Sequence, residues 1–264
     1  MIRNLFVGLA IVGLCAGVAH GGPVIDLSWD ACSPIQHDRV LPSGATMSHL
    51  YVIGTGITGI TAAYEFRLYM GTNVGSNYYG TCSPTTVPDA WRFDAAGCQG
   101  PAFFSVFTSS TSKTTCPPLS GTSTPLKIID LSYSPLTNQQ VLIVALSYQN
   151  APQTADPNET YQLAHLVIDH TYAVQGAGDP PNTCGGFEKP MCFTLWGGYD
   201  VHGDCVPANR SSHGSYYRSD GTQVDFALGP VEMASFRIDA GIQACNLATP
   251  SQPTTWGAIR AQYR

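Results

Sequence analysis

Apolar and polar residues alternate along much of this chain with a period of two. The clearest stretch is Thr61–Met70. Ala62, Tyr64, Phe66, Leu68 and Met70 fall on one side of it, and Thr61, Ala63, Glu65, Arg67 and Tyr69 on the other. Such a run predicts a half-buried strand, because successive side chains of a strand point to opposite faces. Further strands are predicted over Val24–Trp29, Thr46–Ile53, Ala90–Asp94, Ala102–Phe107, Leu126–Tyr133, Gln140–Tyr148, Tyr161–Tyr172, Cys192–Asp200, Gln223–Leu228 and Val231–Ile238. The spacing SPLTNQ makes a hairpin of Leu126–Tyr133 and Gln140–Tyr148, and Asp220-Gly221 predicts a second tight turn. Val141–Leu146 is apolar throughout, which predicts a central strand buried on both faces. About ten short strands among Gly/Pro-rich turns define an all-β chain, and the amount of loop favours a β-sandwich over a barrel.

Both ends break the pattern. Residues 1–19 carry one charge, Arg3, then the apolar run Leu5–Leu14 and the small residues Gly17-Val18-Ala19. This is the layout of a secretory signal peptide cleaved after Ala19 or Gly21. Its apolar run is about half of the ~20 residues that span a bilayer, and no later run is long enough to do so. The expected organisation is therefore a signal peptide at 1–19, a sandwich domain at 20–247 and a linker with C-terminal tail at 248–264. The Ser/Thr/Pro/Gly-rich stretch 108–125 is the candidate boundary between two halves. In the tail, Thr255 suits an N-cap for a short helix that would place Trp256, Ile259 and Tyr263 on one face. The tail reads either as a sorting tag or as a segment packed on its own sandwich.

Charge and cysteine content narrow the setting. Without Arg3, 11 basic side chains stand against 18 acidic ones, which excludes nucleic acid and anionic membrane surfaces as natural partners. Charged residues make up 11% of the chain, well below the ~25% usual for globular proteins. Cys32, Cys82, Cys98, Cys116, Cys184, Cys192, Cys205 and Cys245 remain after cleavage, an even set that predicts four disulfides in an exported chain. Short loops favour Cys98–Cys116 and one bridge within Cys184, Cys192 and Cys205. No C-x-x-C is present, so the cysteines do not read as a zinc site.

Candidate chemistry is sparse. Gly54-Thr55-Gly56-Ile57-Thr58-Gly59 fits the G-x-G-x-x-G of a flavin or NAD turn, but no acidic residue follows about 20 positions on, and the next segment alternates as a strand. A glycine-punctuated turn between two strands is the expected reading, with no cofactor. Asp200, His202 and Asp204 are spaced like the first oxygen ligands of a calcium loop, but Cys205 stands where glycine should turn it and Ser211 where an acid should close it. They are the weak candidates for a metal site. His165 and Asp169 share one face of a predicted strand and His170 takes the other, the usual setting of hydrogen-bonded packing histidines. Glu65 and Glu232 would serve as a glycosidase pair only at a set separation. Trp196, Tyr199, Tyr216 and Tyr217 are candidates for an aromatic platform that stacks on a ligand such as sugar.

Four segments carry a resemblance. PDAWRFDAAGCQG at Pro88–Gly100, the strand AYEFRLYMG before it, the turn CGGFEKPMC at Cys184–Cys192 and the ending TTWGAIRAQYR resemble segments of uncharacterised secreted proteins of environmental bacteria. The resemblance implies a secreted β-sandwich, cohesin-like or immunoglobulin-like in general character. It implies no activity and no catalytic residue. The expected role is that of a non-catalytic secreted or cell-surface protein in adhesion, envelope structure or binding, with a protein or glycan partner. The alternatives are a carbohydrate-binding module, a secreted hydrolase, and an oxidoreductase through Gly54–Gly59.

Overall fold

The structure is a computed structural model. It describes residues 22–41, 45–71, 87–109, 116–119, 126–134, 139–148, 152–171, 173, 184–187, 189, 191–195, 214–228 and 233–237. Among the described residues, fourteen strands run in the order β1 (Val24–Trp29), β2 (Asp38–Val40), β3 (Met47–Thr55), β4 (Gly59–Gly71), β5 (Phe104–Phe107), β6 (Leu126–Ser134), β7 (Gln139–Ser147), β8 (Gln153–Ala155), β9 (Tyr161–Asp169), β10 (Met191–Thr194), β11 (Gly214–Arg218), β12 (Gln223–Asp225), β13 (Ala227–Leu228) and β14 (Met233–Arg237). They form an all-β, disulfide-bridged sandwich. The smaller sheet has the order β13-β1-β3-β9-β5. The larger runs β12-β11-β4-β10-β14-β2, with the β6–β7 hairpin and β8 on the other side of β4. Residues from both sides of 108–125 contribute to both sheets.

The 13-residue β4 is the spine of the larger sheet, and its alternation explains why. Tyr64, Phe66, Leu68 and Met70 are almost completely buried, while Glu65 and Arg67 face solvent. Ile25, Leu27, Trp29, Leu50, Val52, Leu166 and Ile168 of the smaller sheet meet them in one core with Leu142, Val144 and Leu146 of β7. The Tyr64 hydroxyl donates across the sandwich to the Leu163 carbonyl at 2.5 Å. Burying such side chains contributes about 1.5–3 kcal/mol each.

Three expectations need correction. Ala90–Asp94 is not a strand: Asp89–Trp91 forms a short 3₁₀ turn, in which the successive residues Ala90 and Trp91 are both buried, as an alternating strand would not allow. Val141–Leu146 is not buried on both faces. Leu142, Val144 and Leu146 point inward, but Val141, Ile143 and Ala145 are only half-buried, since they lie on the outward face of the larger sheet, in the rows of Tyr69, Arg67 and Glu65. Gln223–Leu228 is broken at Phe226, so that β12 joins the larger sheet and β13 the smaller.

The bridges also differ from expectation. Cys98 pairs with Cys184 rather than Cys116, and Cys116 pairs with Cys32. Short loops misled here because strand order brings distant segments together. Cys192 is disulfide-bonded as well, and its partner lies outside the described residues, as do Cys82, Cys205 and Cys245.

Candidate binding face

Strand register builds the outward surface of the larger sheet in rows. Antiparallel pairing sets Leu126, Ser147 and Ala63 side by side; then Ile128, Ala145 and Glu65; then Asp130, Ile143 and Arg67; then Ser132, Val141 and Tyr69. Ser215 and Tyr217 of β11 extend the rows of Glu65 and Ala63. The result is an apolar strip along β6 and β7 with a polar border along β4. Leu126 and Ile128 are 74% and 63% exposed. Tyr217 donates to Glu65 Oε1 at 3.0 Å and Ser215 Oγ lies 3.5 Å from the same atom. Burial pushes the Tyr69 hydroxyl above its ordinary value, against the hydrogen bond and charge of Arg67.

The core side of this face is propped by residues 88–100. Trp91 is enclosed by Phe187, Phe193, Phe93 and His170, with ring centroids 5.0–6.5 Å away. Arg92 binds Asp94 through two contacts, at 2.9 and 3.2 Å, and its guanidinium lies 4.5 Å over the Tyr133 ring of β6. With its amide turned so that both ends are satisfied, Gln140 of β7 donates to the Trp91 carbonyl at 2.6 Å and accepts from Phe93 N–H at 3.0 Å. The hairpin that carries the apolar strip is thus anchored to one folded segment. Cys98–Cys184 ties that segment to 184–187, where Gly186 sits at φ 89° and a Cβ would meet Pro88 Cβ at 2.5 Å. Two of the segments that carry the sequence resemblance therefore pack against each other.

The smaller sheet carries His49 on β3 and His165 on β9. His49 Nδ1 lies 2.9 Å from His165 Nε2, and the Tyr51 ring stacks on His165 at 4.4 Å. Sequence reasoning missed this pair because its members are 116 positions apart on adjacent strands. Asp169 does not join His165; its carboxylate caps the next turn, accepting from the N–H and the hydroxyl of Thr171. His170 faces the opposite way, as alternation predicts, and its Nε2 lies 3.1 Å from Ser48 Oγ.

Burial, with the charge of Arg39 second, pushes His170 down to about 3. Above about pH 6.5 the ring is neutral in folded and unfolded chains alike. Below that, the unfolded chain takes up a proton that the native fold refuses. Stability is then lost between about pH 6.5 and 3, at roughly 1.4 kcal/mol per pH unit. His170→Gln is expected to remove this component. Between pH 7 and pH 4 the urea-derived stability of the variant should fall by about 3 kcal/mol less than that of the wild type. Equal acid losses would refute the assignment.

Of the other residues singled out from the sequence, Tyr216 is not on a surface platform. It is fully buried, packs on Phe226 at 5.5 Å, and its hydroxyl reaches Thr58. The reason is that it pairs with Tyr64 on the inward face of β4. Tyr217 is half-buried on the outward side. Trp196, Tyr199, Asp200, His202, Asp204, Glu232 and the tail lie outside the described residues. Among the described residues no group of three or more His, Cys, Asp or Glu side chains could hold a metal ion. Gly54–Gly59 spans the end of β3, the turn at 56–58 and the first residue of β4. Gly56 there has φ 67°, and a Cβ on it would sit 3.1 Å from the Gly22 carbonyl oxygen. A strand follows this turn, so the helix N-terminus on which a dinucleotide motif holds its pyrophosphate is not formed.

The class is thus an all-β sandwich with a partly apolar outward sheet face. No family model matches the chain, and no curated protein matches it. Among solved structures it is similar to the second type II cohesin module from a cellulosomal adaptor scaffoldin of Acetivibrio cellulolyticus, at 10% identity and a TM-score of 0.36, covering 80% of this chain and 94% of that one. It is also similar to a non-cellulosomal cohesin from the archaeon Archaeoglobus fulgidus, at 11% identity and a TM-score of 0.33, covering 82% and 92%. A type II cohesin from Bacteroides cellulosolvens matches at 10% identity and a TM-score of 0.32, covering 81% and 98%.

Proposed function

We propose that this chain is an exported, non-catalytic binding protein that docks a protein partner on the outward face of its larger sheet. The observation that carries the reading is the set of in-register rows from β6 to β4. An apolar strip of Leu126, Ile128, Ile143, Ala145 and Val141 is bordered by Glu65, Arg67 and Asp130. Protein interfaces are built this way, with an apolar centre and a charged rim. The partner that fits presents an apolar ridge flanked by charges opposite to those of the rim. Export is supported by the disulfides, which persist in oxidising compartments.

The test is capture from the extracellular proteins of the source organism on immobilised, oxidised mature chain, with a glycan array run in parallel. Ile143→Asp and Arg67→Glu are each expected to weaken the captured complex at least tenfold with an unchanged melting temperature. Met47→Asp, an exposed position on the other sheet, should leave it intact. Binding confined to glycans, or binding indifferent to both face substitutions, would overturn the proposal.

A further inference from the structure

One end of the larger sheet is buried on the side that faces away from the core. Register sets Phe193 of β10 opposite Met70 of β4, both in the core. Alternation then turns Cys192 and Thr194 outward, opposite Gly71 and Tyr69. Cys192 and Thr194 are nevertheless completely buried, Gly71 is buried and Tyr69 is half-buried. Glu65 and Arg67, on the same outward side of β4, are exposed. Further chain therefore lies over the outward side of β10 and the end of β4. Cys192 is also disulfide-bonded. With Cys32–Cys116 and Cys98–Cys184 made, Cys82, Cys205 and Cys245 are left for it beyond the expected signal peptide.

We infer that Cys192 is bonded to Cys82, and that Cys205 pairs with Cys245. A disulfide needs Cα atoms about 4.4–6.8 Å apart, so the partner comes from a segment that passes the start of β10. The chain around Cys82 is held there at both of its ends. It leaves β4 at Gly71, the residue directly opposite Cys192. It re-enters the core at Val87, and Pro88 packs so closely on Gly186 that a Cβ there would lie 2.5 Å from Pro88 Cβ. The Ala90 N–H donates to the Gly185 carbonyl at 3.0 Å, and this turn leads directly into β10. A loop whose two ends are already held near one point loses least entropy in returning to it. Gly71 also keeps the outward space beside Cys192 free of a β4 side chain, where directly paired residues would set their Cβ atoms about 4.5–5.5 Å apart. The other two cysteines are anchored differently. The chain bearing Cys205 leaves β10 past Thr194 and returns at Gly214, opposite Phe66, which is about 17 Å along β4 from Gly71. The chain bearing Cys245 leaves β14 after Arg237, and the described strands hold it at its start only. Each bond takes two protons and two electrons from a pair of thiols, which a disulfide-exchanging oxidant of the exporting compartment accepts. The covered end also limits the docking face, which stays open through Arg67 and stops at Tyr69. That limit rests on the docking proposal, whereas the bridge does not.

Digestion of the secreted, oxidised protein without reductant, followed by mass spectrometry, is expected to yield one peptide pair joining Cys82 to Cys192 and another joining Cys205 to Cys245. Thiol labelling of denatured, unreduced variants provides the second readout. Cys82→Ala should label at Cys192 alone, and Cys205→Ala at Cys245 alone. A Cys192 peptide joined to Cys205 or Cys245 would overturn the inference. So would label on Cys192 in Cys205→Ala or Cys245→Ala. Where a variant fails to fold, the wild-type peptide map decides by itself. The docking proposal is tested by partner capture with Ile143→Asp and Arg67→Glu, so the two readings fail separately.

Discussion

Replacing Cys98 and Cys184 together with alanine is expected to lower stability by about 4–5 kcal/mol, read as a shift in the urea midpoint of the oxidised protein. The bridge closes a loop of sequence separation 86. Cross-linking a loop of that size removes about this much chain entropy from the unfolded state. The native partners are also freed from each other. Residues 88–100 hold Trp91 in the core, and 184–187 supply Phe187, which stacks on Trp91 at 5.7 Å. Cys32–Cys116, with a separation of 84, closes a loop of nearly equal length. Chain entropy alone would therefore give its removal the same cost. A larger loss at Cys98–Cys184 would measure the packing around Trp91. A loss below about 2 kcal/mol would show that residues 88–100 hold their place without the bridge.

Trp91→Ala should cost about 3–5 kcal/mol, the range for emptying an aromatic site in a packed core. Trp91 is 1% exposed and touches aromatic rings from β10, from 88–100 and from 184–187. Few positions join so many separate segments, so the cavity has little freedom to collapse. For a chain of this size the expected fall in melting temperature is roughly 6–20 °C. Near-ultraviolet circular dichroism should lose intensity, because the surrounding rings lose their fixed environment. Trp91→Phe should recover a large part of the loss. An alanine variant within about 1 kcal/mol of the wild type would mean that the segment is peripheral to the core.

How far the sequence revealed the fold can be judged residue by residue. The alternation in β4 gave both its strand character and its buried face, since each side of a half-buried strand meets a different medium. Val24–Trp29 and the β6–β7 hairpin were legible for similar local reasons. β7 is central, flanked by β4 and β6, but it is not buried on both faces. Its outward residues are apolar not because a second layer covers them but because they belong to the exposed strip. Periodicity cannot distinguish those two environments. Ala90–Asp94 was misjudged because the apolar content of Trp91 and Phe93 says that they are buried, not by what backbone. The candidate site was almost invisible. No row of the binding face is contiguous in sequence, and the His49–His165 contact depends on the register of β3 with β9. Tyr216 and Tyr217 were grouped as neighbours, but on a strand neighbours face opposite ways. Alternation alone would have divided them.

The two described bridges overlap along the chain: Cys32 reaches forward to Cys116, past Cys98, and Cys98 reaches past Cys116 to Cys184. They are links of a chain rather than separate rings. A single protease cut anywhere from residue 33 to residue 183 therefore leaves the two pieces covalently joined. A cut between Cys98 and Cys116 leaves them joined twice. Chain synthesis delays the native pairs as well, because Cys98 cannot meet its partner until residue 184 has been made. Once oxidised, a nicked molecule keeps its fragments together, so that a cut in a loop between these cysteines does not part the two pieces.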